Sequence, residues 1–388
     1  MSQKDLASIR REFKPDNEKI KIGDVISIYI KGDAKQIIGM EKEYFGMMDS
    51  EKQELYLKNF RKILTGPLDS KVFQLDFADN KLGQNPTQKA LITTLHSETF
   101  SESVREIAQK IMDSCSYEGD YMISFLRGEI YKPSKQREGE GNLEDDDPLF
   151  YFEFFMGIVN PVTLPKTALK FDFEELVFKA DIPMDVTINL SAPFDGFMFP
   201  SWVDNSADVN KVVYYANKAN NPNLGFIESV LGCTIESTAK IEKEQFQEIV
   251  QEVAGSEIEP EKIAEIYENI NYILEKSEEE EVSEPPKVGL KEVEKILQVS
   301  GVENIEDLDN AFLKVTGSEN HEFKAINLIP KFKGKSIKIE NNSISISLDP
   351  QDLKNIKQVR KDGKRYLMIE IDETLNLDGF ELRTEEFK

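Results

Sequence analysis

The amino-acid sequence predicts a multi-domain α+β protein, and three observations support that prediction. At 388 residues the chain is longer than one ordinary hydrophobic core. Residues 241–284 contain fifteen glutamates and three lysines, a net charge of −12 out of −24 for the whole chain. Aromatic segments with strand-like alternation precede this stretch, and alternating Ile and Ser residues follow it at Ser343–Leu348. The predicted order is a mixed N-terminal α+β domain (1–235), an acidic helical segment (236–276), a Glu/Pro linker (277–287), and a helical lead-in to a small C-terminal β-rich domain (288–388).

The N-terminal region alternates helices and strands. Ser2 and Asp5 have the spacing of a capping box, so the first helix is predicted to begin there and to end before Pro15. Gly32 and Asp33 predict a hairpin between strands at 21–30 and 35–40. Further helices are predicted at 50–64, 86–96, 101–115 and 223–231. Further strands are predicted at 71–77, 121–131, 150–159, 168–178, 185–191 and 209–216. The acidic stretch 132–147 is predicted to be an exposed, mobile loop.

Amphipathic helices and a final hairpin are predicted for the rest of the chain. Apolar residues at helical spacing predict helices at 240–254, 260–276, 290–297 and 305–315. Between them, repulsion among Glu278–Glu281 and the stiff Pro285-Pro286 predict disorder over 277–287. Asp362-Gly363 is the clearest turn in the sequence because this dipeptide readily adopts the positive φ of a tight hairpin. The flanking segments 356–360 and 365–371 are its predicted strands.

Composition predicts a cytoplasmic protein that does not bind membranes. The residues from Met1 to Asp5 lack the apolar core of a secretory signal, and the apolar run Phe150–Val159 is too short to span a bilayer. Cys115 and Cys233 cannot build a disulfide framework, so both are expected to be buried free thiols. A pI near 4.7 disfavours attraction of nucleic acid or anionic lipid to the whole surface.

Few residues of this sequence could carry out catalysis. Only His96 and His321 are present, no Gly-x-Ser-x-Gly nucleophile elbow occurs, and the two cysteines and two histidines do not form a zinc pattern. Asp76 and Asp79 flank the end of a predicted strand and could bind Mg²⁺, although a solvated loop is the preferred interpretation. No catalytic residue, metal ligand or cofactor is predicted.

The segment Ala192–Asn205 is the first candidate binding site. It combines Phe197, Phe199 and Trp202 with Gly196 and Pro200, which favours an aromatic recognition loop of fixed shape. The competing interpretation is that these aromatic side chains pin a loop to the core. Exposure of the Trp202 side chain distinguishes the two interpretations.

The basic segment Lys354–Arg365 is the second candidate binding site. It contains six basic residues and one acid, with Lys361, Lys364 and Arg365 around the predicted turn. A basic hairpin can bind phosphates or an acidic partner, but lysines on a strand edge also prevent sheet aggregation. A third interpretation is that the hairpin docks on the acidic helices of the same chain.

Three functional classes follow from these features. A non-catalytic interaction or regulatory protein with an unknown protein partner is favoured, because charge is segregated along the chain and catalytic motifs are absent from its sequence. The first alternative is a carboxylate-based enzyme that uses Mg²⁺. The second is a nucleic-acid-linked protein that uses the basic C-terminal hairpin, with nucleic acid as the less favoured partner.

The sequence also resembles a bacterial family described as domain of unknown function 4317. The resemblance extends over nearly the whole chain and is carried by Ile9–Pro15, Gly196–Asp204, Val212–Lys218, Val288–Leu297 and Arg360–Ile369. Its most distinctive part is Gly196–Pro200. The resemblance implies a bacterial, intracellular protein and transfers no catalytic or binding residue.

Overall fold

The chain folds into two compact units, Met1–Ala239 and Lys240–Lys388. The structure is a computed structural model that describes the chain outside residues 15–16, 18, 80–84, 133–149, 166–167, 182–184, 204–205, 256, 281–284, 303–304, 333–335, 372–373, 378–379 and 385–388. The predicted loop at 132–147 therefore lies, apart from Lys132, outside the described residues, as does 281–284 of the predicted linker. The α+β fold class is confirmed, whereas the four-part domain division stays a prediction.

A large antiparallel sheet forms the centre of the first unit. Its strands, in spatial order, are β13 (Cys233–Thr234), β3 (Val72–Phe77), β12 (Lys211–Ala216), β9 (Asp195–Phe199), β5 (Phe150–Thr163), β4 (Tyr121–Lys132), β1 (Ile20–Lys31) and β2 (Gln36–Tyr44). A short strand, β8 (Thr187–Ile188), pairs with the end of β5. Two separate hairpins are formed by β6 (Ala168–Asp172) with β7 (Val177–Asp181), and by β10 (Ser201–Val203) with β11 (Ser206–Asp208). The predicted single strand at 168–178 is thus a hairpin.

Helices cover both faces of this sheet. The helices are α1 (Gln3–Glu12), α2 (Ser50–Lys62), α3 (Pro86–Leu95) and α4 (Phe100–Ser114), with a π-helical turn at Gly225–Val230. One hydrophobic core lies between the sheet and α1 and α2, and the other between the sheet and α3, α4 and the π-helical turn. Successive side chains of a central strand point to opposite faces of the sheet. Phe197 and Phe199 therefore lie in the core beside α3 and α4, and Met198 lies in the core beside α1 and α2. Central strands are therefore apolar on both faces.

Side-chain caps fix the first residues of helices α1 and α2, as the sequence predicted. Ser2 and Asp5 form a reciprocal capping box at the start of α1, because the Ser2 hydroxyl accepts from the Asp5 backbone N–H and the Asp5 carboxylate accepts from the Ser2 N–H. Asp49 caps α2 through a hydrogen bond of 2.8 Å from the backbone N–H of Lys52. These predicted elements are confirmed.

The second unit places the acidic helices around a core of their own. It contains α5 (Ala239–Ala254, which begins one residue before the unit boundary), α6 (Pro260–Glu279), α7 (Leu290–Val299), α8 (Leu308–Thr316) and α9 (Ala325–Leu328). Its strands form two-stranded pairs: β14 (Lys287–Val288) with β15 (Phe323–Lys324), β16 (Ile337–Glu340) with β17 (Ser345–Leu348), β18 (Ile356–Lys361) with β19 (Lys364–Ile369), and β20 (Asn376–Leu377) with β21 (Phe380–Glu381). The apolar stripes of α5 and α6 share a core with Val293, Phe312 and Phe323. The apolar sides of the acidic helices thus form part of the core of this unit, and most of their glutamates lie on the sides that face solvent.

Within the described residues, none of the helices has the length and apolar content that crossing a membrane requires.

Candidate binding site

The aromatic segment predicted as a recognition loop is part of the hydrophobic core. Phe197 and Phe199 lie in the central strand β9 and are fully buried, Pro200 is buried, and Trp202 keeps 1% of its surface in solvent. The Trp202 ring stacks on Phe152 with ring centroids 4.3 Å apart. These side chains offer no surface to a partner, so the recognition hypothesis for this segment was wrong. The physical reason is that β9 lies between β5 and β12 with helices on both faces, which buries each side chain of the strand.

The basic hairpin is the candidate that remains exposed. Asp362 and Gly363 occupy the turn with φ of 50° and 76°, as the Asp-Gly signal predicts. The turn sets Lys361 opposite Lys364 and Arg360 opposite Arg365. Lys364 and Arg365 are exposed, and Lys361 is half-buried. The structure therefore brings together the three basic residues singled out in the sequence.

The two faces of the hairpin differ in composition. Directly opposed residues of an antiparallel pair share a face, and the faces alternate along each strand. One face carries three lysines and three apolar side chains, Lys357, Val359, Lys361, Lys364, Tyr366 and Met368. Tyr366 and Met368 expose 37% and 42% of their surface. This mixed face, named here the lysine face, combines positive charge with apolar anchors.

The base of the hairpin is attached to the acidic helix α6 through apolar contacts. Ile356, at the start of β18, is buried in a small cluster with Ala264 of α6 and Leu353, against which Ile369 also packs. Ion pairs of the acidic helices include those of Lys240 with Glu244, Lys276 with Glu280, and Lys314 with Glu252. The contact between the hairpin and α6 described here is apolar, and docking of the basic residues on the acidic helices stays a prediction.

A groove adjoins the start of the basic segment. Its volume is about 360 Å³, and its lining residues are Glu268, Asn271, Tyr272, Glu275, Phe332, Gln351 and Lys354. The two glutamates and the aromatic side chains come from α6 and from the chain before β16, and Lys354 is the first residue of the basic segment.

A buried polar cluster that sequence reasoning missed lies in the first unit. The carboxylate of Asp195 is 3% exposed and accepts hydrogen bonds from the Tyr117 hydroxyl (2.7 Å), the Tyr214 hydroxyl (2.6 Å) and the Asn223 side-chain amide (2.9 Å). The Tyr214 oxygen in turn accepts from the Asn223 backbone N–H at 2.9 Å. Burial raises the pKa of Asp195, although its three donors oppose the shift. The cluster joins β9, β12 and the residues that follow α4, and its carboxylate is buried.

The remaining candidate catalytic residues lie apart from one another. His96 lies at the C-terminal end of α3 and is exposed, and its Nδ1 atom is 2.8 Å from a carboxylate oxygen of Glu153. His321 was predicted to be an ordinary surface residue but is half-buried, with its ring 4.6 Å from that of Phe323. Asp76 and Asp79, for which a solvated loop was preferred to a Mg²⁺ site, are both exposed, and Asp76 lies 3.5 Å from Lys211. Across the part of the chain that the structure describes, no group of three or more His, Cys, Asp or Glu side chains is placed to hold a metal ion.

Both cysteines are free and buried, as the sequence predicted. Burial raises the pKa of Cys115 to about 11 and that of Cys233 to about 12. At pH 8 roughly one molecule in a thousand would carry the reactive Cys115 thiolate. We therefore expect an aromatic disulfide reagent to modify neither thiol in the native protein within minutes, and both after denaturation. A Ser191→Cys variant, with an exposed third thiol, is the control that should react at once; rapid native modification of the wild type would contradict the burial described here.

These features define an α+β protein of two compact units, with an exposed basic hairpin attached to an acidic helical unit. The chain belongs to the family described as Domain of unknown function (DUF4317), whose sequence profile matches residues 1–380. The resemblance noted from the sequence is thereby confirmed. No curated protein matches the chain.

Proposed function

We propose that this protein is a non-catalytic interaction protein that binds an acidic segment of a protein partner through the lysine face of the β18–β19 hairpin. The observation that carries the proposal is the composition of this face, in which three lysines surround exposed tyrosine and methionine side chains. Lysines attract carboxylates at long range, and apolar anchors supply affinity once the surfaces meet.

The apolar content of the lysine face favours a protein over a nucleic acid. Interfaces with nucleic acid are more polar and more positively charged than interfaces between proteins. Val359, Tyr366 and Met368 occupy positions where a phosphate-binding surface would carry further basic or polar groups. The net charge of −24 also repels a long polyanion, whereas a short acidic segment can contact the hairpin alone.

The surroundings of the candidate catalytic groups support a role without catalysis. The cysteine thiols and the Asp195 carboxylate are buried, and the exposed His96 ring lies beside the carboxylate of Glu153. The exposure of Asp76 and Asp79 supports a solvated loop over a magnesium-dependent enzyme. The free thiols and the acidic surface support the proposed cytoplasmic location.

Neutralising the turn tests this proposal. A K361Q/K364Q/R365Q variant removes two lysines of the lysine face and the adjoining Arg365 of the opposite face. In this variant we expect the affinity for the partner to fall at least about tenfold, or about 1.4 kcal/mol. The measurement is capture from an extract of the native host on immobilised full-length protein, with mass spectrometry and a titration of each captured protein. Binding should also weaken as salt increases, because the lysines are at the surface.

A matched control separates the hairpin from net charge. Lys89, Arg105 and Lys110 are exposed on α3 and α4, so a K89Q/R105Q/K110Q variant removes the same two lysines and one arginine from another surface. This control should keep wild-type affinity. Equal losses in both variants, or no loss in the hairpin variant, would refute the proposal. Capture of nucleic acid in place of an acidic protein would instead support a nucleic-acid-linked protein that uses the basic hairpin.

A further inference from the structure

A second hairpin, in the first unit, has one apolar and one polar face. The pairing of β6 with β7 sets Leu169 opposite Ala180 and Phe171 opposite Phe178. These four residues share one face, and the next pair along, Lys170 with Lys179, lies on the other face. On the polar face, Lys179 forms ion pairs with Asp172 (2.8 Å) and with Glu175 (2.9 Å). The hairpin therefore has the residue pattern of a sheet that covers a hydrophobic core.

The apolar face of this hairpin is exposed to solvent. Leu169 keeps 77% of its surface in solvent, Phe178 keeps 73%, and Phe173 at the turn keeps 83%. The Phe171 ring contacts the Phe173 and Phe178 rings, with both centroid distances 5.1 Å. The aromatic side chains thus pack edge to face on one another and leave their outer surfaces open. Exposed apolar patches of several hundred Å² are uncommon on monomers and mark interaction surfaces.

We propose that a second copy of this chain covers this face, so that two hairpins pack face to face in a symmetric dimer. In a two-fold dimer the same patch is used by both subunits and must be complementary to itself. An apolar β-sheet face meets that requirement, because two such faces pack against each other about 10 Å apart without any polar group to pair. The contact would complete a small two-layer sandwich.

The area of the patch agrees with this occupant. A large aromatic side chain such as Phe presents roughly 150–250 Å². Three side chains about three-quarters exposed, with the partly exposed Phe171 and Ala180 between them, present roughly 500 Å² per copy. Two copies would bury about 1,000 Å², which lies at the lower limit for a specific interface and predicts a weak, reversible dimer.

The charge of the hairpin also allows two copies to approach. The whole chain carries −24, and two such surfaces repel each other. The hairpin, residues 168–181, contains two lysines and four acids, a net charge of −2. Association through its apolar face buries apolar surface and leaves the acidic surfaces in solvent, where salt screens them. A basic partner would gain little from so apolar a surface.

Sedimentation velocity of the full-length protein tests the dimer. Between roughly 1 and 100 µM, a range suited to a small interface, we expect a reversible monomer–dimer equilibrium that added salt leaves unchanged or strengthens. An L169S/F178S variant should raise the dissociation constant at least tenfold. These side chains are exposed, so the variant should fold with an unchanged circular dichroism spectrum. The control M47S/L55S, which replaces two other exposed apolar residues, should dimerise like the wild type.

Three results would overturn the inference. They are a protein that stays monomeric at every concentration, a dimer that survives L169S/F178S, and a dimer that is lost equally in M47S/L55S. The K361Q/K364Q/R365Q variant should dimerise normally, because this inference does not depend on the proposed partner of the lysine face.

Discussion

Asp195→Ala is expected to lower the free energy of unfolding by about 3–5 kcal/mol, because it removes the acceptor shared by three buried hydrogen-bond donors. The substitution leaves the hydroxyls of Tyr117 and Tyr214 and the amide of Asn223 without their acceptor. Each buried donor left unpaired costs about 1–3 kcal/mol. Urea titration followed by circular dichroism measures the loss. The exposed Asp33→Ala is the control and should stay within about 0.5 kcal/mol of the wild type.

Asp195→Asn separates the charge of this carboxylate from its hydrogen bonds. Burial raises the native pKa of Asp195 above the ordinary value of about 3.9, so the native state holds this proton more tightly than the unfolded state does. Relative to the Asn variant, the wild type should therefore lose stability as pH rises from about 4 through the native pKa, and the difference should then stay constant. An opposite trend would mean that the three donors outweigh burial.

Trp202→Ala is expected to destabilise the protein by about 3–5 kcal/mol, as for truncation of a buried aromatic residue. The side chain is buried in the core beneath α1 and α2, and it stacks on Phe152. Urea titration measures the loss. Trp202→Phe should cost less because it keeps an aromatic ring in the stack.

Fluorescence provides an independent check on Trp202. It is the single tryptophan of the chain, so the native emission reports on this site alone. Acrylamide should quench native emission far less than emission of the unfolded protein. Strong native quenching, or a loss below about 1 kcal/mol in Trp202→Ala, would contradict the buried position described here.

The sequence predicted those elements that local physical chemistry determines. The capping box at Ser2 and Asp5 fixes the start of α1, and the positive φ of Asp362 and Gly363 fixes the turn of the basic hairpin. Amphipathic periodicity predicted α5 and α6 because one side of each helix faces solvent. In each case the signal lies within a few residues of the element itself.

The strand β9 was missed because its surroundings are set by distant parts of the chain. Each of its five residues is buried, so the polar–apolar alternation of a half-exposed strand is absent. The sequence indicates a turn at Gly196, whereas in the structure glycine is required there because the Ile63 side chain approaches closely. A Cβ atom at this position would lie 2.3 Å from the Cγ2 atom of Ile63, next to α2.

The Asp195 cluster could not have been predicted from one sequence for a similar reason. Its members Tyr117, Asp195, Tyr214 and Asn223 come together only when β9 and β12 pair and the chain after α4 folds beside them. The one available signal was an aspartate directly before the apolar run Gly196–Phe199. A charged residue next to a buried strand requires donors, but the sequence does not identify them.

Site-specific photo-crosslinking tests most directly whether the lysine face binds a partner. Met368, which is 42% exposed on this face, would be replaced by p-benzoylphenylalanine in the full-length protein and irradiated in host extract. We expect one discrete protein adduct that becomes much weaker in the K361Q/K364Q/R365Q background and is absent when the same group replaces the exposed Leu55. No adduct at position 368, or the same adduct at position 55, would contradict binding at the lysine face.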